Sequence, residues 1–277
     1  MDQNDKSDLA KQLETMFFKI TNQQNKSLKS QFDEIYTQLE SLSWLQRALA
    51  IQGALPPLRG WPVSPDFLLR VHNWIRKNKP RVIVETGSGA STLVIADALR
   101  QNGVGVLISL EHLKKYGDQT WQTLVDEHLT EWVDLRVGEL VLWKNDHLNS
   151  KSTDKPSRWY PLDLNGINHI DLLIVDGPPG DTCQFARYPA VPALFDRLAV
   201  NAEVWMDDAN REDEKAICKR WAELYDFDLE YISLEKGLAR LTRLGMEPVQ
   251  SFATSDFNSM HPEFSIGLDF TLPEERR

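Results

Sequence analysis

The sequence predicts an α/β fold: a parallel sheet covered on both faces, closed by an antiparallel hairpin and preceded by a long helical arm. Three observations carry this. From Arg81 onward, short apolar runs alternate with helix-period segments, the pattern of right-handed βαβ units. The last two strand-like runs have no room for a helix between them, so they pair as a hairpin at the sheet edge. The first fifty residues contain no Pro or Gly before Gly53 and carry a heptad-like apolar stripe.

The stripe consists of Leu9, Leu13, Met16 and Ile20, then Leu28, Phe32, Ile35, Leu39 and Leu42, with a polar break at Gln23 and Gln24. It reads as one helix or two over residues 7–52, ending where Gly53, Pro56 and Pro57 stop helical hydrogen bonding. Such a helix either oligomerises as a coiled-coil arm or folds back on its own domain. RVIVETGSG is then a buried strand entering a glycine turn, and STLVIADALRQN is a helix. VGVLISLEH is a second strand, a helix centred on Trp121 follows, and WVDLRVGEL is a third strand. After a polar stretch at residues 144–168, HIDLLIVDGPPG is a fourth strand and YPAVPALFDRLA a helix. NAEVWMDDAN is a fifth strand and REDEKAICKRWAELY a helix. DFDLEYISLEKGLARLTRL supplies the hairpin, turning near Glu235–Gly237. The organisation expected is an arm at 1–52, one catalytic domain at 53–244, and a tail or lid at 245–277.

Composition narrows the function. The 277 residues carry 31 Lys plus Arg against 41 Asp plus Glu, a net charge of −10, which disfavours non-specific binding to nucleic acid. A hydrophobic fraction of 42% excludes wholesale disorder. No apolar run is long enough to span a membrane, and the polar, acidic start MDQNDKSDLAKQ lacks a signal region. Cys183 and Cys218 are the two cysteines, without metal-ligand spacing. A reducing, cytoplasmic setting is the expectation.

In an open parallel sheet, ligands bind beyond the carboxyl ends of the strands. Four of the five parallel strands end in acid-containing turns: Glu85, Glu111, Asp176 and the Asp207–Asp208 pair. The turn ETGSGAST lets backbone approach a ligand at Gly87 and Gly89, with Ser88 between them. Ser91 and Thr92 open a helix whose N–H groups suit a carboxylate or phosphate. Glu111 follows about twenty residues on, where an acid accepts the two hydroxyls of a ribose. The turn and the acid together suit either a nicotinamide dinucleotide or S-adenosylmethionine.

The terminal hairpin separates these. A strand pair closing a seven-stranded sheet after the fifth β–α unit resembles the class I S-adenosylmethionine-dependent methyltransferases. The resemblance covers about residues 61–244 and implies a Rossmann-like methyltransferase sheet. It implies that Glu85, Gly87 and Gly89 carry the amino-acid part of the cofactor, that Glu111 is the ribose acid, and that Glu139 contacts adenine; His112, next to Glu111, is expected to shape the ribose or adenine pocket. Ser91 stands where the family's pattern often has a third glycine. VDGPPG, ARYPA, DDANR and EKGLA look like a bacterial subgroup found with glycan and natural-product clusters.

Methyl transfer to a hydroxyl needs a base, or a cation that lowers the hydroxyl pKa. Asp176, Asp207 and Asp208 offer either, and three converging carboxylates suit a hard divalent cation such as Mg²⁺. This is similar to metal-dependent catechol-type O-methyltransferases, with Asp208 where that pattern has Asn. His147 is a second candidate base, and Arg187, Tyr188 and Arg211 are candidates for holding a phosphate or sugar on the acceptor. The expected activity is O-methylation of a sugar, glycan or small hydroxylated metabolite by a homo-oligomer. The alternatives are a nicotinamide-dependent oxidoreductase and a non-catalytic scaffold that binds the same cofactor.

Overall fold

The computed structural model describes residues 3–145, 148, 155–161 and 166–243, and, in the first helix, side chains from residue 15 onward. His147 and the tail from residue 245 lie outside the described residues. Residues Met1–Gly245 make one compact unit.

The main sheet has seven strands: β1 (Val82–Thr86), β2 (Val106–Glu111), β3 (Val133–Val137), β6 (Ile170–Val175), β7 (Leu198–Met206), β8 (Phe227–Ile232) and β9 (Leu238–Arg243). Their order is β3-β2-β1-β6-β7-β9-β8. Pairing is parallel from β3 through β7, while β9 runs antiparallel to both neighbours. The expected fold class and terminal hairpin are therefore present. The strand order reverses beside β1, so the crevice between β1 and β6 is where a ligand meets the sheet.

Two apolar layers cover the sheet. On one face, Ile83, Leu107, Leu172, Ile174 and Trp205 pack with α2 (Pro65–Asn78), α3 (Ala90–Asn102) and α4 (Lys114–Asp126). On the other, Val84, Ile108, Leu173, Val175 and Val204 pack with α5 (Ala190–Leu194) and α6 (Glu212–Tyr225). Adjacent residues of one strand thus feed opposite layers, which is why these strands read as continuous apolar runs.

Three details differ from the sequence expectation. The segment before Arg81 holds a helix, α2, whose Phe67, Leu68, Val71 and Ile75 are fully buried at helical spacing. The helix expected at YPAVPALFDRLA is only five residues long and passes through a 3₁₀ turn at Phe195–Arg197 into β7. A two-residue ribbon joins β4 (Val141–Leu142) to β5 (Arg158–Trp159) across the polar stretch.

The N-terminal helix α1 (Gln3–Ala48) is continuous across Gln23 and Gln24. It ends before Gly53 because other helices capture the chain: Ala50 N–H donates to Asp97 of α3 at 2.9 Å, and Gln101 donates to the Ala48 carbonyl at 3.0 Å. Gln52 and Gly53 N–H groups both donate to Glu127. Only the C-terminal end of α1 meets the body, through buried Ser41 and Leu45.

Charge inside the sheet is also paired. Glu203 of β7 is 1% exposed and accepts hydrogen bonds from Trp74 Nε1 at 3.1 Å and Trp205 Nε1 at 2.7 Å. Arg240 of β9 grips the same carboxylate with Nε at 2.7 Å and Nη2 at 2.8 Å. This cluster ties α2, β7 and the hairpin together. Arg240→Ala leaves a buried carboxylate without its cation and is expected to cost about 3–5 kcal/mol, read by chemical denaturation.

Candidate active site

The β1 turn builds the first wall. Gly87 has φ 91°, a conformation that favours glycine. Glu85 lies beneath the turn, 1% exposed, and accepts the Thr92 hydroxyl and, at 2.8 Å, the Ser109 hydroxyl. Its Oε2 has no hydrogen-bond partner. Burial pushes its pKa up to about 7, against the opposing pull of the Thr92, Ser109 and Ser91 hydroxyls. Thr92 also accepts Gly89 N–H at 2.9 Å, so Glu85 and Thr92 fix the loop on the start of α3.

Glu111, at the end of β2, forms the second wall. Oε1 accepts His112 N–H at 2.7 Å and Leu113 N–H at 2.8 Å. Oε2 accepts Ser88 N–H at 3.1 Å and its hydroxyl at 2.9 Å. Burial raises its pKa, but the His112 side chain and the Leu113 and Ser88 donors outweigh it, and the net shift is downward. The carboxylate therefore stays ionised and faces the β1 turn. The His112 Nδ1 is 3.2 Å from Oε1. Glu139, between β3 and β4, is exposed.

The third wall is the turn after β6. Thr86 donates to the Gly177 carbonyl at 2.9 Å and accepts Gly177 N–H at 3.2 Å, locking the β1 and β6 turns together. A Cβ on Gly177 would lie 2.4 Å from the Tyr160 hydroxyl and 3.3 Å from Gly87 N. Only glycine admits that approach. Tyr160, carried by the β4–β5 ribbon, is 3% exposed, and its hydroxyl has no hydrogen-bond partner among the described residues. Burial and the nearby Glu111 and Asp176 charges hold its pKa well up. It thus roofs the switch-point crevice. The seat of Tyr160 over Gly177 depends on a long-range contact that no motif encodes.

The acids converge at the ends of β6 and β7. Asp176, Asp207 and Asp208 each offer an oxygen within 4.8 Å of the others. Asp207 N–H donates to the Val175 carbonyl at 3.1 Å, continuing the sheet into the turn. Arg187 lies in their midst: Nη2 is 2.8 Å from Asp208 Oδ2 and 3.2 Å from Asp176 Oδ1, and Nη1 donates to the Asp207 carbonyl at 2.9 Å. Arg211 Nη1 is 2.9 Å from the same Asp208 oxygen, and Glu214 adds a fourth buried carboxylate 3.9 Å from Arg187 Nε. Four carboxylates face two guanidiniums, with Lys236 near enough to lower the pKa of Asp176 and Asp207, so acidic groups are in formal excess. Asp207 Oδ2 is buried without a partner. Burial and Asp208 push the Asp207 pKa up to about 6, and burial with Asp207 pushes that of Asp176 well up.

These residues fit a divalent cation. The donors are hard oxygens from three carboxylates, and Asp207 Oδ2 is buried without a hydrogen-bond partner among the described residues. Arg187 would remain beside such an ion, orienting Asp176 and Asp208.

The candidate acceptor ligands sit differently from the expectation. Arg187 is 3% exposed with both terminal nitrogens engaged by the acid cluster, and Tyr188 is buried against Trp221. Both are inner supports, because the charge of the cluster draws the guanidinium inward. Arg211 is the exposed member, its side chain 55% accessible. It also provides the N-cap position of α6, so Asp208 binds arginines rather than capping that helix.

The elevated Glu85 pKa has a consequence with a definite sign. A carboxyl with a folded pKa of about 7 contributes stability below its unfolded value near 4.5, and loses it as pH rises through 7. Replacing it by Gln removes that dependence. Between pH 4.5 and 8, wild type is expected to lose on the order of 3 kcal/mol relative to Glu85→Gln, read from denaturation midpoints across pH.

Comparison with known proteins agrees with this geometry. Residues 84–209 match the family model of a methyltransferase domain. No curated protein sequence matches. Among solved structures, the O-methyltransferase TomG from Streptomyces achromogenes, involved in tomaymycin synthesis and in complex with SAM, superposes with a TM-score of 0.51 at 16% identity, covering 76% of this chain and 96% of that one. An O-methyltransferase from Bacillus cereus in complex with SAH gives 0.48 at 15% identity, covering 75% and 91%. The SAH-bound methyltransferase PaMTH1 from Podospora anserina gives 0.47 at 16%, covering 73% and 86%. The matched residues run from β1 to the turn after β7 and include each of the three walls. Residues 84–209 of this chain are thus similar to a methyltransferase domain, and the chain shares the fold of the SAM-bound Streptomyces enzyme.

Proposed function

We propose that the chain transfers the methyl group of S-adenosylmethionine to a hydroxyl of a sugar, glycan or small hydroxylated metabolite, with a divalent cation at the Asp176–Asp207–Asp208 cluster. The observation that carries this reading is the convergence of those three carboxylates at the ends of β6 and β7, beside the Gly87 turn. The Streptomyces enzyme of the same fold is an O-methyltransferase bound to SAM, which supports the donor and the transfer to oxygen. A nicotinamide-dependent reaction and a non-catalytic scaffold both accord less well with the methyltransferase-domain match.

When bound, S-adenosylmethionine would supply an electrophilic methyl group on sulfur, and a divalent cation held by Asp176, Asp207 and Asp208 would lower the pKa of an acceptor hydroxyl. The chain's own residues do the rest. The N–H groups opening α3, with Gly87 and Gly89, receive the carboxylate of the methionine portion. Glu111, held by Ser88, His112 and Leu113, would accept the ribose hydroxyls. Asp176, at the edge of the crevice with 21% of its side chain exposed, accepts the proton from the attacking hydroxyl. Tyr160 excludes water above the reacting atoms. Arg187 and Arg211 hold Asp208 in place through ion pairs. Glu139 and His112 border the adenine side. His147 stays a candidate base from the sequence alone.

Glu111→Ala removes a charged acceptor pair and is expected to weaken S-adenosylhomocysteine binding about 10- to 100-fold in calorimetry. Asp176→Asn should retain that binding while abolishing methyl transfer to a panel of hydroxylated glycosides. If wild type bound no S-adenosylhomocysteine, the donor assignment would be wrong.

Titration of the wild-type protein with Mn²⁺ or Mg²⁺ should show one site that Asp207→Asn weakens at least about tenfold, as expected for loss of a charged ligand. Undiminished binding in that variant would place the ion elsewhere.

A further inference from the structure

The hairpin of β8 and β9 turns at the carboxyl edge of the parallel strands, because β9 runs antiparallel to β7 and its Ala239 pairs with Met206. Residues 233–237 therefore border the same edge as the acid cluster. The turn is joined to the segment after Asp208: Ala209 N–H donates to the Gly237 carbonyl and Asn210 N–H to the Lys236 carbonyl, both at 3.1 Å. Glu235 N–H donates to Asp66 at 2.9 Å, which brings the start of α2 to this edge as well. The Lys236 ammonium donates to the Gly60 carbonyl at 2.8 Å and to the Pro62 carbonyl at 2.6 Å. Burial and neighbouring acids raise the Asp176 and Asp207 pKa values, and the Lys236 charge opposes that rise, so the ammonium stands near both carboxylates.

The residue between those two carbonyls is Trp61. It is 77% exposed, the most open of the large apolar side chains among the described residues. Its backbone is nonetheless pinned. Lys236 grips the carbonyls of the residues on either side, Pro62 restricts Trp61 to extended backbone, and Val63 and Ser64 are buried directly after it. An indole left in water on a fixed backbone forgoes apolar burial, but little ordering is needed when a ring stacks on it. None of the donor, base or cation contacts involves Trp61.

We infer that Trp61 is an acceptor-binding residue that stacks on a ring of the acceptor at the mouth of the crevice, and that Lys236 is the positioning residue that fixes it there. Lys236 adjoins both the Trp61 peptide and the acids, so the ring on Trp61 is the neighbour of the one that carries the reacting hydroxyl. The acceptor class is a glycoside with a second ring, whether a further sugar or an aryl group. This rests on the methyl-transfer reading and adds to it the size and shape of the acceptor.

The test uses the full chain with S-adenosylmethionine and Mg²⁺, and initial rates on three sets built on the same sugars: methyl glycosides, disaccharides and p-nitrophenyl glycosides. Trp61→Ala is expected to raise KM about tenfold for two-ring acceptors through loss of one stacked ring, while kcat changes less than about threefold. For methyl glycosides, whose one ring lies at the acids, KM should shift by no more than about twofold. The disaccharide and p-nitrophenyl arms show which kind of ring is held. Trp61→Phe should recover most of the loss. Lys236→Met should raise the same KM, and combining it with Trp61→Ala should leave KM no worse than Trp61→Ala alone, because the lysine acts through the indole. Equal KM effects on one-ring and two-ring acceptors, an effect on kcat alone, or additive losses in the double variant would each overturn the inference. So would a wild type that binds S-adenosylhomocysteine yet methylates none of these glycosides, an outcome that leaves the donor assignment standing. A wild type that binds no S-adenosylhomocysteine overturns the donor assignment and this inference with it.

Discussion

Four carboxylates, from Asp176, Asp207, Asp208 and Glu214, meet at the carboxyl ends of β6 and β7, and one nearly buried guanidinium, Arg187, lies among them. Neighbouring parallel strands must end side by side, so acids placed at two successive strand ends are forced together. Without a cation their repulsion and desolvation would open the turns. Arg187 answers this by reaching from the turn before α5 to both strand ends, hydrogen bonding to the Asp176 and Asp207 carbonyls as well as to side chains. Arg211 covers the same Asp208 oxygen from the start of α6. The compensation is incomplete, and the excess negative charge faces the crevice.

The rest of the site is arranged around that edge. Thr86 binds the Gly177 peptide on both its N–H and its carbonyl, so the β1 turn cannot move without the β6 turn. Glu85 and Thr92 hold the β1 turn on α3, and Glu111 holds it from β2 through Ser88. One rigid strip of backbone therefore runs from Glu111 to Asp208. Rigid positioning is what an in-line displacement requires of its protein, since the donor brings its own activation.

A second chain of contacts reaches outward. Asp66 of α2 accepts Gln38 of α1 at 2.9 Å and Glu235 N–H of the hairpin turn at 2.9 Å. The same turn receives Ala209 and Asn210 N–H groups through the Gly237 and Lys236 carbonyls. The base of the arm and the acid-bearing turn after β7 are thus attached to one hairpin.

Periodicity and turn residues alone determined much of this protein. The order of strands and helices, the helical arm, the terminal hairpin and the acids at strand ends are local signals: apolar runs of strand length, Gly turns, and the absence of a helix-length segment between the last two strands. The acid positions needed only the rule that ligands meet the carboxyl edge of a parallel sheet. Other features were settled by tertiary structure. The Pro65–Asn78 helix was not read from the sequence, and its role as a cover for β1, β6 and β7 depends on the sheet it meets. The residues of RYPA look like surface ligands in the sequence because arginine and tyrosine are usually exposed; folding buries them, since four nearby acids make the interior the better place for one guanidinium. Tyr160 reaches the crevice only through the β4–β5 ribbon, whose two-residue strands carry no pattern. A sequence fixes which groups are available and where each element begins. Which charges face one another, and which side chain closes the site, is decided by distances between segments far apart in the chain.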